Sequence, residues 1–194
     1  MPVRTTLLTT LLAATFVVSS AAPSQAVAEL HADARRDVVS GPYLSDALPR
    51  KPEPARKVAD IVTSTTTYGA ELTVATTFRN LAASGHQEYS WSILTSDDEF
   101  EWTASLVVRP GKDKGQFSLI DPIANQPGCG KAVLDRGART VTLTIPASCL
   151  GSPAWVKVGN GVYVYTATRR YADDARRDGV VKHGWKYGAK LTPQ

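Results

Sequence analysis

The stretch Val58-Ala59-Asp60-Ile61-Val62-Thr63-Ser64-Thr65-Thr66-Thr67-Tyr68-Gly69-Ala70-Glu71-Leu72-Thr73-Val74-Ala75-Thr76-Thr77-Phe78-Arg79 decides the fold class of this chain. Leu72, Val74, Thr76 and Phe78 fall on one side of an extended segment, and Glu71, Thr73, Thr77 and Arg79 fall on the other. That period of two marks a half-buried strand. Val58 to Thr67 reads as its partner, and Tyr68-Gly69-Ala70 supplies the turn of a hairpin.

The same grammar continues downstream. Glu88 to Ser96 sets Tyr89, Trp91 and Ile93 on one face, and Phe100 to Val108 does so with Phe100, Trp102, Leu106 and Val108, with Asp97-Asp98-Glu99 between them. Arg109 to Gly115 reads as a polar turn before a short strand at Phe117 to Ile120, and Pro122, Pro127, Gly128 and Gly130 mark a loop. Lys131 to Leu134 and Arg139 to Ile145 predict a second hairpin around Arg136-Gly137; Pro146 ends it, and a further strand starts at Ala154. Asn160-Gly161 predicts the next tight turn. Eight or nine short strands and no helix-length period of 3.6 predict an all-β, antiparallel β-sandwich, jelly-roll or immunoglobulin-like.

Composition agrees. Of 194 residues 43% are apolar and 21% charged, with 14 Gly and 12 Pro, which excludes disorder and collagen. Arg4, the apolar run Leu7 to Val18, Pro23 and the small residues Ala26-Val27-Ala28 have the order of a secretory signal peptide, 1–28, cut after Ala28 or, nearly as well, after Ala26. The run is too short for a membrane-spanning helix, so no integral membrane segment is expected in the mature chain. Pro42, Pro49, Pro52 and Pro54 make 29–57 an N-terminal segment and connector. The sandwich core is then 58–168, and 169–194 a basic tail.

Without Arg4 the chain carries 21 basic and 18 acidic residues. The segment from Arg169 onward has seven basic residues against Asp173, Asp174 and Asp178, so the body is close to neutral. A nucleic-acid groove needs a basic face on the folded domain, and none is expected here. Two cysteines in an exported chain, Cys129 and Cys149, predict a disulfide closing a ring of 20 positions, with a stabilisation of about 3 kcal/mol.

Cys149-Leu150-Gly151-Ser152-Pro153-Ala154-Trp155-Val156-Lys157-Val158, the cysteine 20 positions earlier, Asp173-Asp174-Ala175 and the Asp33 to Val39 start together resemble small secreted β-sandwich proteins of actinobacteria, mostly uncharacterised. The resemblance implies a fold and export, and no reaction.

No Gly-x-Ser-x-Gly elbow occurs, and His31, His86 and His183 lie outside the strongest strands, so no catalytic residue is named. A hydrolase with a convergent site is the alternative, because convergent triads leave no sequence trace. No cofactor is expected. Asp97, Asp98, Glu99 and Glu101 form an oxygen-rich cluster that matches no defined calcium loop and reads as a solvated hairpin tip. Asp33 and Asp37 would meet Asp173 and Asp174 if the termini lie close, but Asp33-Ala34-Arg35-Arg36-Asp37 and Asp174-Ala175-Arg176-Arg177-Asp178 carry four arginines that would neutralise them without metal. The remaining candidates are aromatic. If Val156 and Val158 face the core, Trp155 and Lys157 face solvent, and with Tyr163 or Tyr165 they would stack a glycan or meet an anionic cell-wall polymer. The expected protein is thus a secreted, non-catalytic binding or cell-surface-associated module.

Overall fold

The structure, a computed structural model, describes residues 27–43, 47–96, 101–121, 126 and 128–193. Twelve strands among the described residues are β1 (Val27–Ala32), β2 (Val39–Pro42), β3 (Lys51–Pro52), β4 (Ile61–Tyr68), β5 (Glu71–Phe78), β6 (His86–Thr95), β7 (Trp102–Arg109), β8 (Lys112–Ile120), β9 (Lys131–Asp135), β10 (Thr140–Pro146), β11 (Val156–Tyr165) and β12 (Arg169–Asp174). They form a five-stranded sheet, β1-β4-β5-β10-β9, and a seven-stranded sheet, β3-β2-β12-β11-β6-β7-β8, both antiparallel. The set β4-β5-β10-β9 against β12-β11-β6-β7-β8 is the strand order of a nine-stranded, variable-type immunoglobulin sandwich. Of the two expected architectures the chain takes the immunoglobulin-like order. No described helix is long and apolar enough to cross a membrane.

The alternation seen in the sequence builds the core. Leu72, Val74 and Phe78 of β5 with Val141, Leu143 and Ile145 of β10 bury one face against Tyr89, Trp91 and Ile93 of β6 and Val156, Val158, Val162 and Val164 of β11. Trp91, fully buried on β6, occupies the strand that carries the core tryptophan in immunoglobulin domains. One polar group crosses this core. Ser64 Oγ donates to Asn160 Oδ1 at 3.0 Å, and Asn160 Nδ2 donates to Thr76 Oγ1 at 3.0 Å, joining β4 and β5 to β11. The disulfide Cys129–Cys149, with its Cα atoms 5.6 Å apart, ties the loop between the sheets to the 3-10 turn Ala147–Leu150 that follows β10.

Both hairpins of the smaller sheet stand as expected, but four readings change. Asn160-Gly161 is no turn: β11 runs through it from Val156 to Tyr165, because Asn160 is needed inside the core and Gly161 outside it, as described below. The polar turn after β7 shrinks to Pro110-Gly111, since Gly111 takes a φ of 76° and the chain pairs again from Lys112. The segment 29–57 is not a connector. It supplies β1 to the edge of the smaller sheet and β2 and β3 to the larger one, using backbone pairing with few apolar side chains inward, so no hydrophobic period marks it.

Nor is 169–194 a solvated tail. β12 pairs with β11, and the chain then returns so that Val156 and Leu191 exchange both backbone hydrogen bonds at 2.9 Å. Two of its arginines are spent within the fold: Arg176 holds Glu29 of β1 through two hydrogen bonds of 2.9 Å, and Arg177 pairs with buried Asp174. The sandwich therefore extends well beyond 58–168. Residues 1–26, most of the expected signal peptide 1–28, lie outside the described residues; Val27 and Ala28 begin β1, so a cut after Ala26 would leave that strand whole and a cut after Ala28 would shorten it.

Candidate functional site

β11 organises the outer face of the larger sheet. Val156, Val158, Asn160, Val162 and Val164 are buried toward the core, which sends Lys157, Gly159, Gly161, Tyr163 and Tyr165 outward. Trp155, just before the strand, is half-buried. Lys190 Nζ lies 4.8 Å and Lys157 Nζ 5.9 Å from its ring centroid, so two cations flank one indole.

The middle of the face is closed. The returning C-terminal segment lies over Gly159 and Gly161, whose missing side chains make the room: a Cβ on Gly159 would stand 2.9 Å from the Trp185 Cβ, and one on Gly161 would enter the Trp185 ring. Trp185 is itself buried among Val39, Ala172 and Val181, with Leu48 and Tyr163 at the margin, and its Nε1 donates to Ser90 Oγ at 2.7 Å. This small second core explains why two glycines are tolerated inside a central strand.

At the far end the rings are half-buried, with Tyr43 exposed at the margin. Tyr163 lies 5.3 Å from the Trp185 centroid and 6.2 Å from Tyr165, and the Arg170 guanidinium sits over Tyr163 at 5.3 Å. Tyr165 stacks on His86 at 4.4 Å and meets the exposed Tyr43 edge-on at 5.6 Å. Burial and then the Glu88 carboxylate, 3.4 Å from the Tyr165 hydroxyl that donates to it, push the Tyr165 phenol up to about 12, so it remains a neutral donor. Burial raises Tyr163 as well. A row of three tyrosines, one imidazole and one guanidinium thus lines the end of the sheet where β5 leads to β6 and β11 turns to β12.

The four residues singled out from the sequence do not form one site. Trp155 and Tyr165 stand at opposite ends of β11, about 33 Å apart at the rise of an extended strand, with Trp185 between them. Tyr163 and Tyr165 come together; Trp155 and Lys157 come together elsewhere. Tyr43, His86 and Arg170 complete the tyrosine row, and no pattern local to them in the sequence announces it. The pair of glycines two apart on β11 was the one available signal that something docks there.

The acidic candidates divide as well. Asp97, Asp98 and Glu99 lie outside the described residues, and the Glu101 carboxylate accepts the Tyr187 hydroxyl. Asp33, Asp37 and Asp173 do meet: one oxygen from each lies within 4.8 Å of the others. The expected neutralisation fails for these three, because Arg176 is taken by Glu29 and Arg177 by Asp174, while the Arg36 side is represented only by its backbone N–H, donating to Asp60. The histidines are dispersed: His31 on β1, His86 in the aromatic row and His183 exposed. No protein-family model, no curated protein and no solved structure matches this chain.

Proposed function

We propose that this chain is a secreted, non-catalytic binding module that holds a glycan or an anionic cell-wall polymer on the outer face of its larger sheet. The observation that carries this reading is the row Tyr43, Tyr165 and Tyr163 with His86 and Arg170 on a rigid sheet. Flat amphipathic rings cover the apolar faces of sugars at little entropic cost, and a guanidinium beside them suits an anionic substituent. Trp155 under Lys157 and Lys190 offers a second, separate contact of the same chemistry. Export is supported by the leader-like order of residues 1–28 and by the paired cysteines, since disulfides persist in oxidising compartments.

The test is a pull-down of the purified protein on insoluble cell-wall and glycan matrices, with Tyr165→Ala and Trp155→Ala alongside. The reading expects retention of the native protein on at least one matrix and loss of at least about tenfold in affinity for Tyr165→Ala, as for an aromatic anchor. Robust turnover of esterase, protease or glycosidase substrates, or retention unchanged in both variants, would overturn it.

A further inference from the structure

We propose that Asp33, Asp37 and Asp173 form a Ca²⁺ site that fastens the segment between β1 and β2 to β12, a role independent of the aromatic face. Asp33 follows β1 directly, Asp37 closes the turn before β2, and Asp173 lies on β12, so the three carboxylates come from both sheets and converge where the edge of one meets the other.

The geometry is that of a cation seat. One oxygen of each carboxylate lies within 4.8 Å of the others, and oxygens on opposite sides of a Ca²⁺ stand roughly 4.6–5.2 Å apart, given bonds of about 2.3–2.6 Å. Asp33 is only 8% exposed, and among the described residues neither of its oxygens has a well-formed hydrogen bond; the backbone N–H of its neighbour Ala34 is the one donor that acts on it. Asp37 Oδ1 is buried and unpartnered in the same sense, while its Oδ2 accepts the Gly179 N–H at 3.0 Å. Asp173, 1% exposed, is anchored by the Ile61 N–H at 2.8 Å to its Oδ2. Two of the three carboxylates are therefore held by backbone donors, and Asp33 contributes buried oxygens that lack a well-formed hydrogen bond.

Burying a carboxylate without a partner is costly, so either a proton or a cation must compensate it. Three nearby arginines are engaged elsewhere, Arg79 with Asp60, Arg176 with Glu29 and Arg177 with Asp174, and Arg35 and Arg36, in the turn between Asp33 and Asp37, are exposed and form no ion pair with the three carboxylates. Burial above all, and then the like charge of Asp37, push the Asp33 carboxyl up to about 8, with Asp174 and Asp178 adding repulsion of the same sign and the Ala34 backbone N–H opposing it. Asp173 is likewise driven upward by burial, then by Asp33 and Asp37. A hard divalent ion with oxygen ligands removes the repulsion and the desolvation penalty together. An all-carboxylate set without sulfur or imidazole selects Ca²⁺ over the softer transition metals.

The experiment is titration of chelator-treated, purified protein with CaCl₂ into the millimolar range, followed by calorimetry and thermal unfolding. One saturable site per chain and a Tm that rises with Ca²⁺ are expected. Asp33→Asn should abolish that rise and, by removing a buried carboxyl that must be either protonated or repelled when no cation is bound, lift the Tm of the chelator-treated protein, so that one substitution acts with opposite sign in the two conditions. Asp37→Asn, at a less buried position, should weaken Ca²⁺ binding at least about tenfold, and Glu101→Gln should leave it unchanged. Absence of saturable Ca²⁺ binding by the folded native protein, a response to Mg²⁺ but not Ca²⁺, or an undiminished Ca²⁺ response in both aspartate variants would overturn the proposal.

Discussion

The Trp185 ring occupies the space that a side chain on Gly161 would fill, and its Nε1 donates to Ser90 Oγ on the neighbouring strand at 2.7 Å. A residue close to the C-terminus is in this way locked onto the middle of a central strand. The glycine and the tryptophan are complementary, and each has a cost if the other is altered.

Gly161→Ala should force the indole off the sheet and destabilise the protein by about 1–3 kcal/mol, the usual penalty of overpacking. Trp185→Ala should cost more, about 3–5 kcal/mol, through the cavity it opens. Chemical denaturation of both variants checks this. Hydrogen exchange on the native protein should show protection at Gly188 and Leu191, whose N–H groups bond the Val158 and Val156 carbonyls at 2.9 Å.

Asn160 holds two hydroxyls in a region that excludes water. Asn160→Ala leaves the Ser64 and Thr76 side chains without their partner and should destabilise by about 1–3 kcal/mol. Replacing Ser64, Thr76 and Asn160 together by Ala, Val and Leu should recover part of that loss, because no buried polar group then remains unsatisfied. A triple variant no more stable than Asn160→Ala would contradict this account.

Glu29 and Arg176 link β1 to the segment after β12, with the Arg176 side chain 5% exposed. Glu29→Gln keeps the shape and removes the charge, and should cost about 1.5–3 kcal/mol because the guanidinium stays buried. A double-mutant cycle with Arg176→Met measures the coupling; additive losses would mean that the pair contributes nothing beyond packing.

Trp155→Ala and Trp91→Ala separate a surface ring from a core ring. Trp91 is 1% exposed, and its loss should cost about 3–5 kcal/mol. Trp155 is half-buried beneath Lys190, and its removal should cost less than half as much. Equal falls in Tm would make Trp155 a structural residue rather than a binding contact.

Thiol titration of the denatured, unreduced protein should find no free cysteine, since Cys129 and Cys149 are bonded. Replacing both by Ser should lower stability by about 3 kcal/mol through the ring of 20 positions it reopens.

What the sequence by itself determined is the class of fold and its redox chemistry. The period of two in Leu72, Val74, Thr76 and Phe78, and again in Val141, Leu143 and Ile145, states which face each strand buries, and a single pair of cysteines admits one disulfide. Those are local or pairwise facts. Only the tertiary structure decided the rest, because the elements that were missed are held by groups remote in sequence. β1 and β2 are built on backbone pairing at or next to sheet edges, which needs no apolar alternation; two arginines of the basic C-terminal segment, Arg176 and Arg177, answer Glu29 and Asp174 within the fold. Asn160-Gly161 has the letters of a turn, yet one side chain bonds across the core and the other is absent so that Trp185 can dock. The aromatic row is likewise assembled from distant strands of the larger sheet, and the three aspartates meet only where the two sheets come together.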